Sequence, residues 1–257
     1  MYHNIFDTHA HYDHRLFNYI RHAILSGIQQ LGVSYILNCG SDEDSSLFSS
    51  YLASIYPFIW SAAGIHPHAA SRVSPNWEEN LQKLLDDSKN VAIGEIGLDY
   101  HYNFSEPKDQ RRIFSKSIEI ALSKELPVII HDREAHEDIL AMLKEYRPFG
   151  VVHRFSGSIK MMEELIDLGF LLGFGCSVVY ENAKIEREAV SNIPIDRLLL
   201  ETDCPYLPPP NSKNEICRSD MIGFAAEAIA KLRPNFTPSE IISIATENGK
   251  RLFKIPS

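Results

Sequence analysis

The chain has 257 residues, 44% hydrophobic and 23% charged, and its 25 Lys and Arg stand against 34 Asp and Glu for a net charge of −9. These proportions exclude a disordered or collagen-like chain, and the length fits one large domain or two small ones. The acidic balance argues against a protein that coats nucleic acid with a basic surface.

No apolar run approaches the ~18 residues of a membrane helix, so no membrane association is expected. The opening MYHNIFDTHAH has neither the basic nor the apolar region of a secretory signal. Cys39, Cys176, Cys204 and Cys217 are scattered without a CxxC pair, which suits free thiols in a reducing cytoplasm. No obligate protein partner is evident.

In chain order, a first apolar run at 5–6 leads into Asp7-Thr8-His9-Ala10-His11. A second strand is expected at 33–39. A third, at 58–64, runs into Gly64-Ile65-His66. The fourth, 91–96, carries Glu95 within Gly94-Glu95-Ile96-Gly97. A helix follows, with Phe114, Ile118, Ala121 and Leu122 on one face. The fifth strand, 127–130, ends at His131, with Arg133 two residues on, and the sixth, 150–152, ends at His153. The seventh covers 170–174. The eighth, 197–200, ends at Glu201-Thr202-Asp203. Pro205, Pro208, Pro209 and Pro210 then make 205–217 a loop. A last helix opens on a capping box, with Thr237 as N-cap, Pro238 at N1 and Glu240 at N3. Ile241, Ile244, Ala245, Asn248 and Leu252 share one of its faces.

About eight strand–helix units in this length have the rhythm of an α/β fold, a (β/α)8 TIM barrel forming one domain over 1–257. A doubly wound open sheet is the rival, but no GxGxxG follows the first strand.

Five of the 11 histidines (His9, His11, His66, His131 and His153) fall at strand ends, beside Glu95, Glu201 and Asp203. In a barrel those ends share one rim, where such enzymes work. Converging imidazoles and carboxylates suit a metal site. His9 and His11 are alternate residues of an extended strand and face the same way. Six ligands, His9, His11, Glu95, His131, His153 and Asp203, exceed one tetrahedral catalytic ion, which takes three plus water. Two divalent ions are therefore expected, with the two oxygens of Glu95 able to bridge them. Histidine-rich ligation suits Zn or Mn, and Mg would want more oxygen.

Several blocks in the same order resemble the TatD-type deoxyribonuclease family of metal-dependent hydrolases. They are Phe6-Asp7-Thr8-His9-Ala10-His11-Tyr12-Asp13, Gly64-Ile65-His66-Pro67, Gly94 to Tyr100, Pro127 to Ala135, Leu200 to Tyr206 and Asn248 to Phe253. The resemblance spans essentially the whole chain. It implies a TIM-barrel hydrolase that cleaves DNA phosphodiesters with a metal-activated hydroxide. It also implies that His9, His11, Glu95 and Asp203 hold one ion, that Glu95, His131 and His153 hold the other, and that Asp203 serves as general base.

The chain departs from the family at three places. It has His153-Arg154-Phe155-Ser156-Gly157 where the family has His-Cys-Phe-Ser-Gly, Tyr12 in place of an aliphatic, and Lys213-Asn214-Glu215-Ile216 as a partial form of the Arg-Asn-x-Pro loop. Strand alternation would point Arg154 away from the metals, so it must pair with a carboxylate or curl over the rim.

Around the ligands, His66 reads as a contact to phosphate or leaving group. Arg133 reads as a phosphate donor or a rim salt bridge, Glu201 as a support for a ligand histidine and Asp7 as structural. Asp99 and His101 receive no role, and His3, His14, His22, His68 and His136 read as solvated or local. Two ions would bring +4 against −2 from Glu95 and Asp203, so an anionic substrate is drawn to the site of an acidic protein. The alternatives are an amidohydrolase-type enzyme acting on a small amide, ester or phosphoester, and a scaffold that keeps metal for stability. Glu95 at the bridging place, where many amidohydrolases use a carboxylated lysine, favours the nuclease.

Overall fold

The computed structural model describes residues 1–210, 212 and 216–256. Lys213, Asn214 and Glu215 of the partial loop match lie outside the described residues. Eight strands, β1 (Ile5–Ala10), β2 (Val33–Cys39), β3 (Ile59–Ala63), β4 (Asn90–Asp99), β5 (Val128–Arg133), β6 (Gly150–Val152), β7 (Leu171–Phe174) and β8 (Leu198–Leu200), pair in parallel in sequence order. The ring nearly closes beyond the end of β8, where Asp203 N donates to His9 O at 2.8 Å and His11 N donates to Cys204 O at 2.9 Å.

The helices among the described residues are α1 (Arg21–Gly27), α2 (Glu43–Ile55), α3 (Trp77–Leu84), α4 (Pro107–Lys124), α5 (His136–Tyr146), α6 (Ile159–Asp167), α7 (Lys184–Asn192), α8 (Ile222–Leu232) and α9 (Pro238–Phe253). This is the expected TIM barrel. All four cysteines are buried and free. Among the described residues no helix is long and apolar enough to cross a membrane.

Alternation along each strand builds two apolar zones. On β5, Val128 and Ile130 pack outward among the helices, whereas Ile129 joins Phe6, Leu37, Ala92, Val151 and Leu199 inside the barrel. Continuing the inner set along β5 leads to His131. The polar residues thus begin where the apolar filling of the barrel ends.

Two strands change phase before they reach the site. In β1 the inward residue near the bottom is Phe6, but farther up His9 turns inward, and the β1–β2 register shifts between Asp7 and Ala10. In β4 the inward residue is Ala92 and then Glu95, with a register shift between Ile93 and Ile96. Such irregularities re-aim side chains beside active sites. Gly97 follows at φ +144°, where a Cβ would lie 2.0 Å from the His131 carbonyl oxygen. Only glycine allows β4 to run so close to β5 there.

At the C-terminal end the capping box forms, with Glu240 N donating to Thr237 Oγ1 at 3.3 Å and Thr237 N to Glu240 Oε2 at 2.8 Å. Asn248 Nδ2 donates to the carbonyls of Ile195 and Leu198, both at 2.9 Å, and ties α9 to the start of β8. One residue expected on the shared face of α4 is corrected: Phe114, Ile118 and Ala121 are buried, whereas Leu122 is 42% exposed. Eight positions beyond Phe114 it has rotated about 80° round the helix, off the buried stripe.

Candidate metal centre

The C-terminal mouth of the barrel opens into a cleft of about 720 Å³. Five of the six residues expected to converge, His11, Glu95, His131, His153 and Asp203, line it, and His9 lies buried beside them. From β1, His9 Nε2 and His11 Nε2 lie 3.0 Å apart. Glu95 Oε2 stands 3.4 and 3.5 Å from them, and Asp203 Oδ1 stands 3.9 and 3.4 Å away. The other oxygen of Glu95 faces His131 Nδ1 at 2.7 Å and His153 Nε2 at 2.8 Å. Glu95 thus stands between two groups of donors, one oxygen turned to each. His66 reaches the same Oε1 at 3.5 Å.

The outer partners of the rings assign their protons. His11 Nδ1 lies 2.8 Å from the Cys39 carbonyl, which only accepts, so Nδ1 carries the hydrogen and Nε2 faces the centre bare. His131 Nε2 lies 3.1 Å from Asp99 Oδ2, which leaves Nδ1 bare toward Glu95. His153 Nδ1 has Glu201 Oε1 at 3.6 Å, and Nε2 faces the centre. Bare nitrogens packed on acceptor-only carboxylate oxygens repel unless a proton or a cation stands between them. His66 is opposite in kind. Its Nδ1 accepts from His68 N at 3.1 Å, so its Nε2 presents an N–H to the cleft. The neutral His66 ring is a donor here and has no lone pair to offer an ion.

Burial opposes every charge in this cluster, and the close pairs decide which charges survive. Burial would raise Glu95, but the surrounding histidines hold it well below the usual carboxylate range. Burial would likewise raise Asp203, yet the Arg154 guanidinium and His11 hold it low. Burial disfavours the His153 imidazolium, but Glu95 and Glu201 outweigh it and push the pKa up to about 10. His11 and His131 are raised in the same way, against burial, by their carboxylate partners. His66, buried beside His131, is held well below the usual histidine value and stays neutral. Without a cation, the centre fills its gaps with protons.

Asp99 and His68 carry more than sequence reasoning gave them. Asp99 Oδ2 receives His131 Nε2 at 3.1 Å and His68 Nε2 at 2.8 Å, and so orients the His131 ring. The available signal was parity, since Asp99 lies four residues beyond Glu95 on the same strand face. Glu201 accepts Arg154 N at 2.6 Å under His153. Room for that carboxylate exists because residue 173 is glycine: a Cβ there would lie 2.1 Å from Glu201 Oε2. Asp7 ties the ends of β1 and β8 together, accepting from Thr202 N at 2.9 Å and Thr202 Oγ1 at 2.5 Å, and burial pushes its pKa up to about 7.

Arg154 takes the carboxylate pairing expected of it but not the outward direction of strand alternation, and Arg133 lacks the rim salt bridge among the described residues. Arg154 does not face the helices. Strand β6 stops at Val152, and Arg154 adopts φ +43°, so strand alternation no longer governs it. Its Nη1 meets Asp203 Oδ2 at 2.7 Å, which is the pairing with a carboxylate, made at the centre itself. Arg133 makes no ion pair among the described residues. Its guanidinium lies over the Tyr102 ring, 4.7 Å from the centroid, at the wall of the cleft. His136 is local, bound to Asp132 at 2.8 Å, and His101 pairs with Glu134 at 2.7 Å.

A model of the family described as TatD related DNase matches residues 6–254. The metal-dependent hydrolase YabD of Bacillus subtilis, itself described as uncharacterized, is 38% identical over 98% of this chain and 99% of its own length. The 3'-5' ssDNA/RNA exonuclease TatD of Klebsiella pneumoniae is 36% identical over 88% of this chain and 84% of its own. Among solved structures, the TatD homologue YJJV of Escherichia coli superposes with a TM-score of 0.91 at 30% identity, each chain covered in full.

Proposed function

Because this chain belongs to the TatD related DNase family of metal-dependent hydrolases, we propose that it is a nuclease that cleaves phosphodiester bonds in DNA at a site for two divalent ions. The observation that carries the reading is the set of inward-facing ring nitrogens His11 Nε2, His131 Nδ1 and His153 Nε2 closing on the oxygens of Glu95 and Asp203 at 2.7–3.5 Å. His9, His11 and Asp203 would hold one ion, His131 and His153 the other, with Glu95 shared. Four imidazoles and two carboxylates fit Mn or Zn better than Mg. Divalent ions bound there would lower the pKa of water and offset charge on phosphoryl oxygens.

The remaining work falls to the protein. Asp203, kept ionised by Arg154, is a proton acceptor at neutral pH and serves as the base for the attacking water. Neutral His66 donates its Nε2–H to a phosphate oxygen or to the leaving oxygen. Asp99 and the Cys39 carbonyl hold two of the ligand rings in the tautomer that binds. The names of the relatives support a single-stranded substrate, RNA included.

The test is incubation of purified protein with labelled single- and double-stranded DNA and Mn²⁺ or Mg²⁺, with an EDTA control, beside amide and ester substrates. Metal-dependent shortening of DNA is expected. Turnover of an amide or ester with intact DNA would reverse the assignment to the amidohydrolase alternative.

A further inference from the structure

Phe104 is 64% exposed and Tyr102 46% exposed, and both line the cleft. Large apolar side chains left in solvent at the wall of a site call for a role that burial does not supply. Their rings lie in an offset parallel stack, with centroids 5.4 Å apart and planes 7° from parallel. Arg133 covers part of Tyr102, and His68 meets both rings edge-on, at 5.5 and 4.8 Å. His68 also shares Asp99 Oδ2 with His131, so one carboxylate ties these rings to the candidate ligands. The platform therefore stands at a fixed offset from the centre.

We infer that Phe104 and Tyr102 form a stacking seat for an unpaired nucleobase flanking the scissile phosphate, with Arg133 beside it for the adjoining phosphate. The inference rests on the nuclease reading and adds a substrate requirement to it. Every base has a π-face, so such a seat takes any sequence, provided the base is unstacked and free. A base held in a duplex presents only an edge to the ring. An arginine fixed on an aromatic ring keeps its charge and its remaining N–H groups for an anion. Preference for single strands would then arise at the wall of the cleft, away from the ions.

The experiment uses the full chain loaded with Mn²⁺ and two single strands of the same length and label. One is ordinary DNA. The other has tetrahydrofuran abasic residues at three nucleotides on each side of the cleaved bond. Wild-type protein is expected to favour the ordinary strand about tenfold in kcat/KM, within the range of one stacked base. Phe104→Ala should abolish most of that preference, chiefly through KM, and Phe104→Trp should restore it. Thermal unfolding of each variant checks that an exposed position has not altered the fold. Equal cleavage of both strands by the wild type, or an undiminished preference in Phe104→Ala, overturns the seat and leaves the nuclease reading standing. Cleavage of neither strand overturns the nuclease reading itself.

Discussion

Replacing Arg154 with alanine removes the guanidinium that holds Asp203. The pair is close, 2.7 Å between Nη1 and Oδ2, and unequal in burial, with side-chain exposures of 35% and 6%. At an effective dielectric of about 20 the gross attraction is roughly 6 kcal/mol. Most of that offsets the desolvation of the two groups, and the open side of Arg154 adds screening, so the net contribution is about 1–2 kcal/mol. For a domain of this size that corresponds to a fall in Tm of about 3–6 °C in EDTA. The fall should shrink when divalent ions oppose the Asp203 charge instead. Freed from Arg154, the carboxylate can rotate away from His9 and His11, so kcat should drop about tenfold with little change in KM. Metal content should hold, because a positive charge has left the vicinity. Differential scanning fluorimetry with and without EDTA, metal analysis and steady-state kinetics make the check. An unchanged Tm in EDTA together with an unchanged kcat would refute the positioning role. A flattening of log K against log[salt] by ~0.7, one single-strand phosphate contact, would assign the guanidinium to substrate instead.

Asp203→Asn keeps the size of the side chain and loses its charge, and the rate should fall ~10²–10⁴; wild-type turnover at unchanged metal content removes Asp203 from the reaction. Metal uptake should release protons, because His153, at about 10, and the raised His11 and His131 are protonated in the metal-free protein near neutrality and must lose those protons to bind an ion. Affinity should therefore be weaker at pH 6 than at pH 8, with a calorimetric heat that depends on buffer ionisation; a buffer-independent heat contradicts this. For stability the sign is the reverse: the raised His153 supports the metal-free fold below its ordinary 6.5, and that support is lost as pH climbs through about 10. Gly173→Ala places a methyl 2.1 Å from Glu201 Oε2 and pushes the carboxylate off Arg154 N. It should cost about 1.5–3 kcal/mol in urea unfolding and weaken metal binding ~10–100-fold, and a wild-type titration curve would show that Glu201 supports nothing.

The barrel and the six converging residues were legible because they rest on repetition: the same polar types recur at the same end of successive apolar runs. Three features were not legible, each for a physical reason. The phase changes in β1 and β4 depend on register against neighbouring strands, which no single strand encodes. Arg154 turns inward through a left-handed backbone at φ +43°, a conformation that arginine does not announce. Asp99 gains its part because His68 and His131, 63 residues apart in sequence, meet on one oxygen. His66 is intermediate: its place on the rim could be read, but its donor character depends on the backbone N–H of His68.

The most direct measurement is the anomalous difference density of crystals grown with Mn²⁺. Two peaks are expected about 3.5–4 Å apart, one against His9, His11 and Asp203, the other against His131 and His153, with Glu95 between them and His66 on neither. A single peak, or His66 as a ligand in place of His153, would contradict the two-ion centre.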